Sequence, residues 1–325
     1  MIYFIIMMTK DKAITAMDKS GSFRIYMSIS TAMAETAREI HGTTPVATAA
    51  LSRVLTAASL MGIMMQDDTD KVTLQFKGDG PAHEILATAY GSGRVKGYIS
   101  NPDLELALRP DGKLDVGSAL GIGQLTCIRD IGLKEPYMGK IDLVSGEIAD
   151  DLTAYFFVSD QKSSSVILSE TIAMDGTVES AAGLIIQMLP NCDPKSVDEL
   201  ERILEKPEPL AKLASKCREE ALGEAPLSDD GLAESILRKM LREFFREIMP
   251  EYAPEETGFR DIGWNCDCSR ERIEQVLLSL GENELTTLIN EDNGAELTCQ
   301  FCRSQYKFTK EELINLIQEG RKKKC

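Results

Sequence analysis

The first part of the chain combines short stretches of alternating hydrophobicity with one long apolar segment. Val72, Leu74 and Phe76 alternate with polar residues, which is the pattern of a half-buried strand. Residues 46–65 are rich in Ala, Leu and Met on all sides, so we predict a buried helix that begins at Thr44-Pro45. Further strands are predicted at residues 1–8, 22–30, 85–90, 94–100, 139–144, 154–159 and 183–189, and a short helix at 31–40.

After Pro190 the pattern changes to a helical period and the residues become more acidic. Helices are predicted at 196–206, 210–221 and 228–249, followed by a polar loop at 250–263. The third helix has an apolar residue every four positions, formed by Leu232, Ile236, Met240, Phe244 and Ile248. Such a strongly amphipathic helix must bury its apolar stripe against another part of the protein.

The last sixty residues predict a small, separate unit. Ser269 begins a helix that ends at Gly281, a second short helix starts at Asn283, and residues 295–299 and 305–308 form a hairpin. Thr309 and Glu312 form a capping box for a final helix. This segment has few apolar residues for its length and requires a cross-link to stay folded.

These elements occur in irregular order, which indicates an α+β fold and not repeated β-α-β units. We predict an N-terminal mixed α/β core domain over residues 1–189, a helical linker over 190–262, and a small C-terminal zinc-binding domain over 263–325. The interruption after Pro190 and the cysteines near the C-terminus set the two boundaries.

Charge and length restrict the class of protein. The chain has 325 residues, of which 36 are Lys or Arg and 52 are Asp or Glu, so its net charge is -16. A chain with this charge repels nucleic acid and anionic lipid, so we expect neither as a partner. We expect none of the apolar stretches to be a membrane span of roughly 20 residues, and we expect a cytoplasmic protein.

Four of the eight cysteines form two close pairs, Cys266-x-Cys268 and Cys299-x-x-Cys302. Four thiolates in this arrangement suit one tetrahedral zinc ion, and a site with four sulfur ligands has no open position for catalytic water. Ligating thiolates are also oxidisable, and oxidised sulfur releases zinc. The expected disulfides are Cys266–Cys268 and Cys299–Cys302, because each pair is adjacent in sequence. Spacing alone favours a purely structural zinc site over a redox-active one.

Several motifs together resemble the heat shock protein 33 family, the redox-regulated 33-kilodalton chaperonins of bacteria. The cysteine pattern is the most specific of them, with Tyr306-Lys-Phe-Thr-Lys-Glu-Glu-Leu313 following it. The other matching segments are His41-Gly-Thr-Thr-Pro45, Phe76-Lys-Gly-Asp-Gly-Pro81, Gly97-Tyr-Ile-Ser-Asn-Pro102, Leu143-Val-Ser-Gly-Glu147 and Ile185-Ile-Gln-Met-Leu-Pro190. They extend over most of the chain in the order of the family.

The resemblance implies a molecular chaperone that holds unfolding clients without ATP, and not an enzyme. It implies that the reduced, zinc-bound protein is inactive, and that oxidation forms the two disulfides, releases zinc and unfolds the C-terminal switch domain. The linker is then destabilised and apolar surface becomes available to unfolding proteins under oxidative stress. The active form is expected to be a homodimer, with clients bound by the N-terminal domain.

Other functions remain open from the residues alone. Cys299-x-x-Cys302 would permit a thiol-disulfide oxidoreductase, although the surrounding pattern is not thioredoxin-like. A zinc-ribbon nucleic-acid module is opposed by the charge, and residues 91–97 only approximate a dinucleotide loop. Cys127, Cys192 and Cys217 are interpreted as core residues, Cys325 as an exposed tail thiol, and His41 and His83 as structural histidines.

Overall fold

The computed structural model describes residues 10–205, 209–223 and 228–322. The chain divides into two compact units, residues 1–265 and 266–325. The strands are β1 Lys12–Asp18, β2 Phe23–Ile29, β3 Lys71–Gly78, β4 Glu84–Tyr90, β5 Arg94–Ile99, β6 Gly123–Asp130, β7 Tyr137–Asp142, β8 Ser164–Ile172, β9 Val178–Met188, β10 Pro254–Asp261, β11 Gly263–Trp264, β12 Gly294–Thr298 and β13 Gln305–Thr309. The helices are α1 Thr31–His41, α2 Pro45–Ile63, α3 Val116–Leu120, α4 Ala149–Val158, α5 Pro194–Leu204, α6 Leu210–Leu222, α7 Asp229–Phe244, α8 Arg270–Leu280, α9 Glu282–Thr287 and α10 Lys310–Lys322.

Two sheets form the frame of the first unit. The five-stranded sheet has the order β10-β1-β2-β9-β8, and the six-stranded sheet has the order β11-β5-β4-β3-β6-β7. Most neighbours are antiparallel, and the short β11 pairs with β5 in parallel. With its mixture of helices and largely antiparallel strands, the chain has the expected α+β fold.

Helix α2 forms the centre of this unit because it contacts strands of both sheets. Pro45 lies in its first turn and its sequence is apolar on all sides, so nearly every residue from Val46 to Ile63 is buried. The prediction of a buried helix is confirmed. The helix is long and apolar enough to cross a membrane, but 89% of its most apolar window is buried inside the protein, as in a core helix.

A second core lies on the five-stranded sheet, where helices α6 and α7 pack. Ser228 caps α7 by accepting a hydrogen bond from the Gly231 N–H (3.2 Å). The apolar stripe of α7 is buried by this unit's own strands and helices. The helix ends at Phe244 and not at residue 249 as predicted.

Two sequence predictions of secondary structure are wrong. Residues 154–159, rich in aromatic and β-branched side chains, lie mostly in helix α4 and not in a strand. Its first turn contains Asp150 and Asp151, which favour a helix N-terminus. Residues 254–261, predicted as loop, form the edge strand β10 because they pair with β1. The strand predicted at residues 1–8 lies outside the described residues.

The second unit has a short hairpin, β12 and β13, together with helices α8, α9 and α10. Ser269 caps α8, and Thr309 and Glu312 exchange backbone-to-side-chain hydrogen bonds at the start of α10, as predicted. Its core is small and is formed by Leu277, Leu285, Ile289, Phe308, Leu313 and Leu316. The need for an additional cross-link, inferred from the sequence, agrees with this core.

Candidate metal centre

Four cysteine sulfurs of the second unit converge on one point. The Sγ atoms of Cys266, Cys268, Cys299 and Cys302 all lie within 4.8 Å of one another. Cys266 Sγ is 3.7 Å from Cys299 Sγ, and Cys268 Sγ is 3.2 Å from Cys302 Sγ. The structure therefore brings together all four residues that the sequence singled out, although thirty residues lie between Cys268 and Cys299.

Each cysteine pair is placed by a local backbone arrangement. Cys266 and Cys268 lie just before Ser269, whose hydroxyl accepts the Arg272 N–H and fixes the start of α8 (3.3 Å). Cys299 and Cys302 lie in the turn between β12 and β13. There the Cys299 N–H donates to the Ser304 carbonyl and the Arg303 N–H donates to the Cys299 carbonyl (2.9 Å each). Arg303 has a φ of +60°, which lets this tight turn close.

The sulfur geometry fits a tetrahedral metal ion. A zinc–sulfur bond of about 2.3 Å gives sulfur–sulfur edges of about 3.8 Å in a regular tetrahedron. The observed 3.7 Å and 3.2 Å separations and the 4.8 Å limit on all pairs bracket this value. Four thiolate ligands select zinc over hard cations such as magnesium or calcium. Cys266, Cys268, Cys299 and Cys302 could therefore hold one zinc ion.

The electrostatics also favour a cation at this point. Burial raises the pKa of Cys266 far above its usual range, and burial is the main cause that raises the pKa of Cys268. Burial acts in the same direction on Cys302, but hydrogen bonds from Ser304 and Cys268 outweigh it and lower its pKa to about 6. The Cys302 thiol thus ionises readily, while the raised pKa values of Cys266 and Cys268 oppose ionisation of these two thiols. A bound cation would compensate the charge of all four thiolates.

Two further side chains contact the sulfurs, and neither of them was predicted from the sequence pattern. The Tyr306 hydroxyl donates to Cys268 Sγ at 3.1 Å, and the Ser304 hydroxyl lies 3.2 Å from Cys302 Sγ. The hydrogen bond to Cys268 raises the pKa of Tyr306 to about 12. Their positions, two and four residues after Cys302 in a hairpin, are the sequence signal that could have identified them.

The other cysteines of the described residues lie elsewhere. Cys127 and Cys217 are buried in the two cores of the first unit, and burial raises the pKa of both thiols, that of Cys217 to about 11. They are core residues, as expected from the sequence. Cys192 is half-buried, and Cys325 lies outside the described residues.

His41 and residues 91–97 lie within the fold of the first unit. His41 is buried at the end of α1, with Nε2 3.1 Å from the Gly97 carbonyl. Residues 91–97, which resemble a dinucleotide loop, form the turn and the start of β5 in an antiparallel hairpin with β4. No helix follows the glycines there, so the backbone arrangement of a nucleotide-binding loop is missing from this segment.

Comparisons with known proteins agree with each other. The family model described as "Hsp33 protein" matches residues 11–309. A 33 kDa chaperonin of Alkaliphilus oremlandii is 40% identical and covers 95% of this chain and 97% of its own length. A 33 kDa chaperonin of Clostridioides difficile is 39% identical, with coverage of 95% and 99%. The crystal structure of the 33 kDa chaperonin from Thermotoga maritima superposes with a TM-score of 0.73 at 29% identity, covering 97% of this chain and 99% of that one.

Proposed function

This chain belongs to the Hsp33 family of chaperonins, and from that premise we propose that it is a redox-regulated holdase. In this proposal, zinc held by Cys266, Cys268, Cys299 and Cys302 keeps the second unit folded and the protein inactive. Oxidation of these thiolates activates the protein, which then binds unfolding proteins without ATP. The observation that supports this most directly is the convergence of the four sulfurs within 4.8 Å of one another.

The chemistry of activation is a pair of two-electron oxidations. With hydrogen peroxide as oxidant, two thiolates lose two electrons and form one S–S bond, while the hydrogen peroxide and two protons become two water molecules. Repeating this step oxidises all four cysteines, and we propose the pairs Cys266–Cys268 and Cys299–Cys302. Disulfide sulfur is no longer a thiolate ligand, so the oxidised protein would release its metal.

The small second unit supports a folding switch. Structural zinc contributes on the order of 10 kcal/mol to the folding of a small metal-binding domain. The hydrophobic core of this unit contains six fully packed side chains, contributed by α8, α9, α10, β13 and the turn after α9. A core of this size supplies only a few kcal/mol, so the unit would unfold when the metal leaves.

We propose three functional regions, the core domain 1–189, the linker 190–262 and the switch domain 263–325. The linker helices pack on the five-stranded sheet through a continuous apolar face. Phe245 of the linker belongs to that face, and its ring stacks against Phe23 of β2 with ring centroids 6.4 Å apart. If the linker loosens after oxidation, this face becomes available to clients.

The test compares reduced and peroxide-oxidised protein. We expect the reduced form to contain one zinc and to leave a heat-unfolded client free to aggregate. The oxidised form should have lost zinc and four thiols and should suppress aggregation near stoichiometric amounts without ATP. The double variant Cys266→Ser, Cys268→Ser should bind zinc weakly, and Cys192→Ser serves as the control because this residue lies outside the cluster.

Three results would contradict the proposal. The first is tight zinc binding by the double variant, and the second is equal aggregation suppression in both redox states. The third is catalytic turnover of dithiols at sub-stoichiometric protein without chaperone activity, which would indicate an oxidoreductase. Sedimentation of the oxidised form tests the further expectation of a homodimer, and cell fractionation tests the proposed cytoplasmic location.

A further inference from the structure

The outer strand of the six-stranded sheet has a free edge next to exposed apolar side chains. Strand β7 ends this sheet, and among the described residues no strand pairs with its outer side. The Leu143 N–H donates to the Gly123 carbonyl at 2.8 Å. Because paired and unpaired positions alternate along an antiparallel ladder, Met138, Lys140 and Asp142 direct their backbone groups away from β6. An extended backbone could pair with this row.

A groove runs beside this edge, between β7 and helix α4. Its volume is about 380 Å³, and its apolar lining comes from Ile141, Val144, Ala154 and Val158. That volume lies within the ~300–1,000 Å³ of typical ligand clefts. Val144 and Val158 are 69% and 63% exposed, and Met138 on β7 is 54% exposed. The β7 edge therefore combines unpaired backbone groups with apolar side chains, those of the groove and that of Met138.

The loop that presents Val144 is held rigidly. The buried carboxylate of Asp151 accepts the backbone N–H groups of Val144, Ser145 and Ile148 at 2.7, 3.0 and 3.1 Å. Ile148, a β-branched residue, has a φ of +66°. Backbone strain of this kind persists only where the surroundings fix the conformation, and it is common at binding sites. Val144 is thus kept exposed by a preformed loop.

The composition of the edge indicates its occupant. Residues 131–142 contain two lysines and two acidic residues, so this stretch is neutral in a chain of net charge -16. The edge strand β10 of the other sheet differs, since five of its eight residues are Pro254, Glu255, Glu256, Arg260 and Asp261, which protect edges from pairing. A folded partner has most of its backbone groups already paired, whereas an unfolded chain has them free along its whole length. The complementary ligand is therefore an extended, apolar and uncharged segment of an unfolded polypeptide.

We propose that the β7 groove, defined by β7 and by Val144, Ala154 and Val158, binds extended apolar segments of unfolded proteins by adding them as a further strand. This inference rests on the proposed function and gives it a docking site. The groove lies within the first unit and contains none of the four clustered cysteines. It is therefore present in both redox states, so the reduced protein already binds unfolded chains weakly through it.

The test uses reduced, carboxymethylated lactalbumin, which cannot refold, as the probe. A photoreactive benzoylphenylalanine placed at Met138 should cross-link to the probe in both reduced and oxidised protein. The same group at Met174, a fully exposed methionine outside the groove, should not. Met138→Lys should weaken binding of the probe about tenfold, because an apolar contact is lost, while Met174→Lys should leave it unchanged.

Mass spectrometry of the cross-linked products identifies what each photoreactive position contacts. Equal cross-linking from positions 138 and 174, or no binding of the probe by the reduced protein, would overturn the proposal. So would a cross-link from position 138 to a second copy or to residues 1–9 of the same chain, because the occupant would then be the protein itself. Failure of the redox mechanism is seen separately, as aggregation suppression that does not change on oxidation. Circular dichroism confirms that both lysine variants are folded.

Discussion

Individual side chains around the four sulfurs would determine how firmly the proposed zinc ion is held. Cys268 Sγ accepts the Tyr306 hydroxyl, and Cys302 Sγ lies beside the Ser304 hydroxyl. Hydrogen bonds of this kind orient metal ligands and stabilise their negative charge. The cysteine spacing predicted the cluster of four sulfurs, because two closely spaced cysteine pairs are a specific pattern. The two hydroxyl groups have a weaker sequence signal, their positions two and four residues after Cys302, because their contacts depend on the closing of the hairpin.

The Tyr306 hydrogen bond can be removed while the aromatic ring is retained. We expect Tyr306→Phe to weaken zinc affinity about tenfold, because loss of such a contact typically costs ~10–100-fold in metal binding. Competition with a chromogenic chelator measures this change. The control is Tyr252→Phe, which removes a tyrosine hydroxyl bonded to Asp193 in the first unit. Unchanged zinc affinity in Tyr306→Phe would mean that the hydrogen bond from Tyr306 to Cys268 does not contribute to metal binding.

Helices and strands were predictable where one face is buried and the pattern is regular. Helix α2 and strand β3 followed from their hydrophobic patterns, as did the Ser269 cap of α8. Helix α4 was mistaken for a strand because its aromatic and β-branched residues favour strands locally, whereas Asp151 stabilises the helix start. Strand β10 has no periodic pattern, and its pairing with β1 is a tertiary effect.

Lys12 of β1 forms ion pairs with two elements of the linker, α7 and β10. Its Nζ is 3.0 Å from Asp261 of β10, and 3.3 Å from both Asp230 and Glu234 of α7. Its side chain is 9% exposed, whereas those of the two aspartates are about half exposed. Burial lowers the pKa of Lys12, but the hydrogen bonds with these carboxylates outweigh it and raise the pKa above 10.5. The ammonium group thus holds α7 and β10 to β1.

We expect Lys12→Met to loosen the linker, because Asp230, Glu234 and Asp261 then lose the buried cation that they share. Among the described residues, Asp230 and Asp261 keep only Lys10, whose side chain is exposed. The free energy of unfolding should fall by about 1–2 kcal/mol, less than for a fully buried pair because the aspartates are partly solvated. Limited proteolysis should cut residues 228–262 faster, and a lower oxidant concentration should activate the chaperone. Lys19→Met is the control, since its ammonium is exposed and 3.9 Å from Glu255. Equal proteolysis of both variants would exclude this role for Lys12.

The molecule as a whole divides into a large unit with two extensive cores and a small unit with one. The small unit should therefore be less stable than the large one, because the free energy needed to unfold a region locally increases with the apolar surface that it buries. Oxidation should therefore act first on residues 266–325. Residues 10–188 of the first unit, with α2 enclosed between two sheets, should remain folded as the proposed support for clients.

Trp264, the only tryptophan, lies two residues before Cys266 and reports how far that unfolding extends. It is held within the first unit, because β11 pairs with β5 and the indole ring meets His41 edge to face at 6.0 Å. The next residue, Asn265, donates its N–H to the Val95 carbonyl at 2.7 Å. These few contacts hold β11 in place, and a strand of two residues has little stability of its own.

We expect oxidation to release β11, because unfolding of the adjoining segment removes the restraint on its C-terminal end. Trp264 emission should then shift to longer wavelength, in step with zinc release measured by a chromogenic chelator. Protease cuts should appear between about residues 217 and 264, while a fragment containing residues 10–188 resists cleavage. Reduction with restored zinc should reverse the emission shift. If the emission and the cleavage pattern stay the same after the metal has left, unfolding stops at the boundary of the small unit, and the linker is not part of the switch.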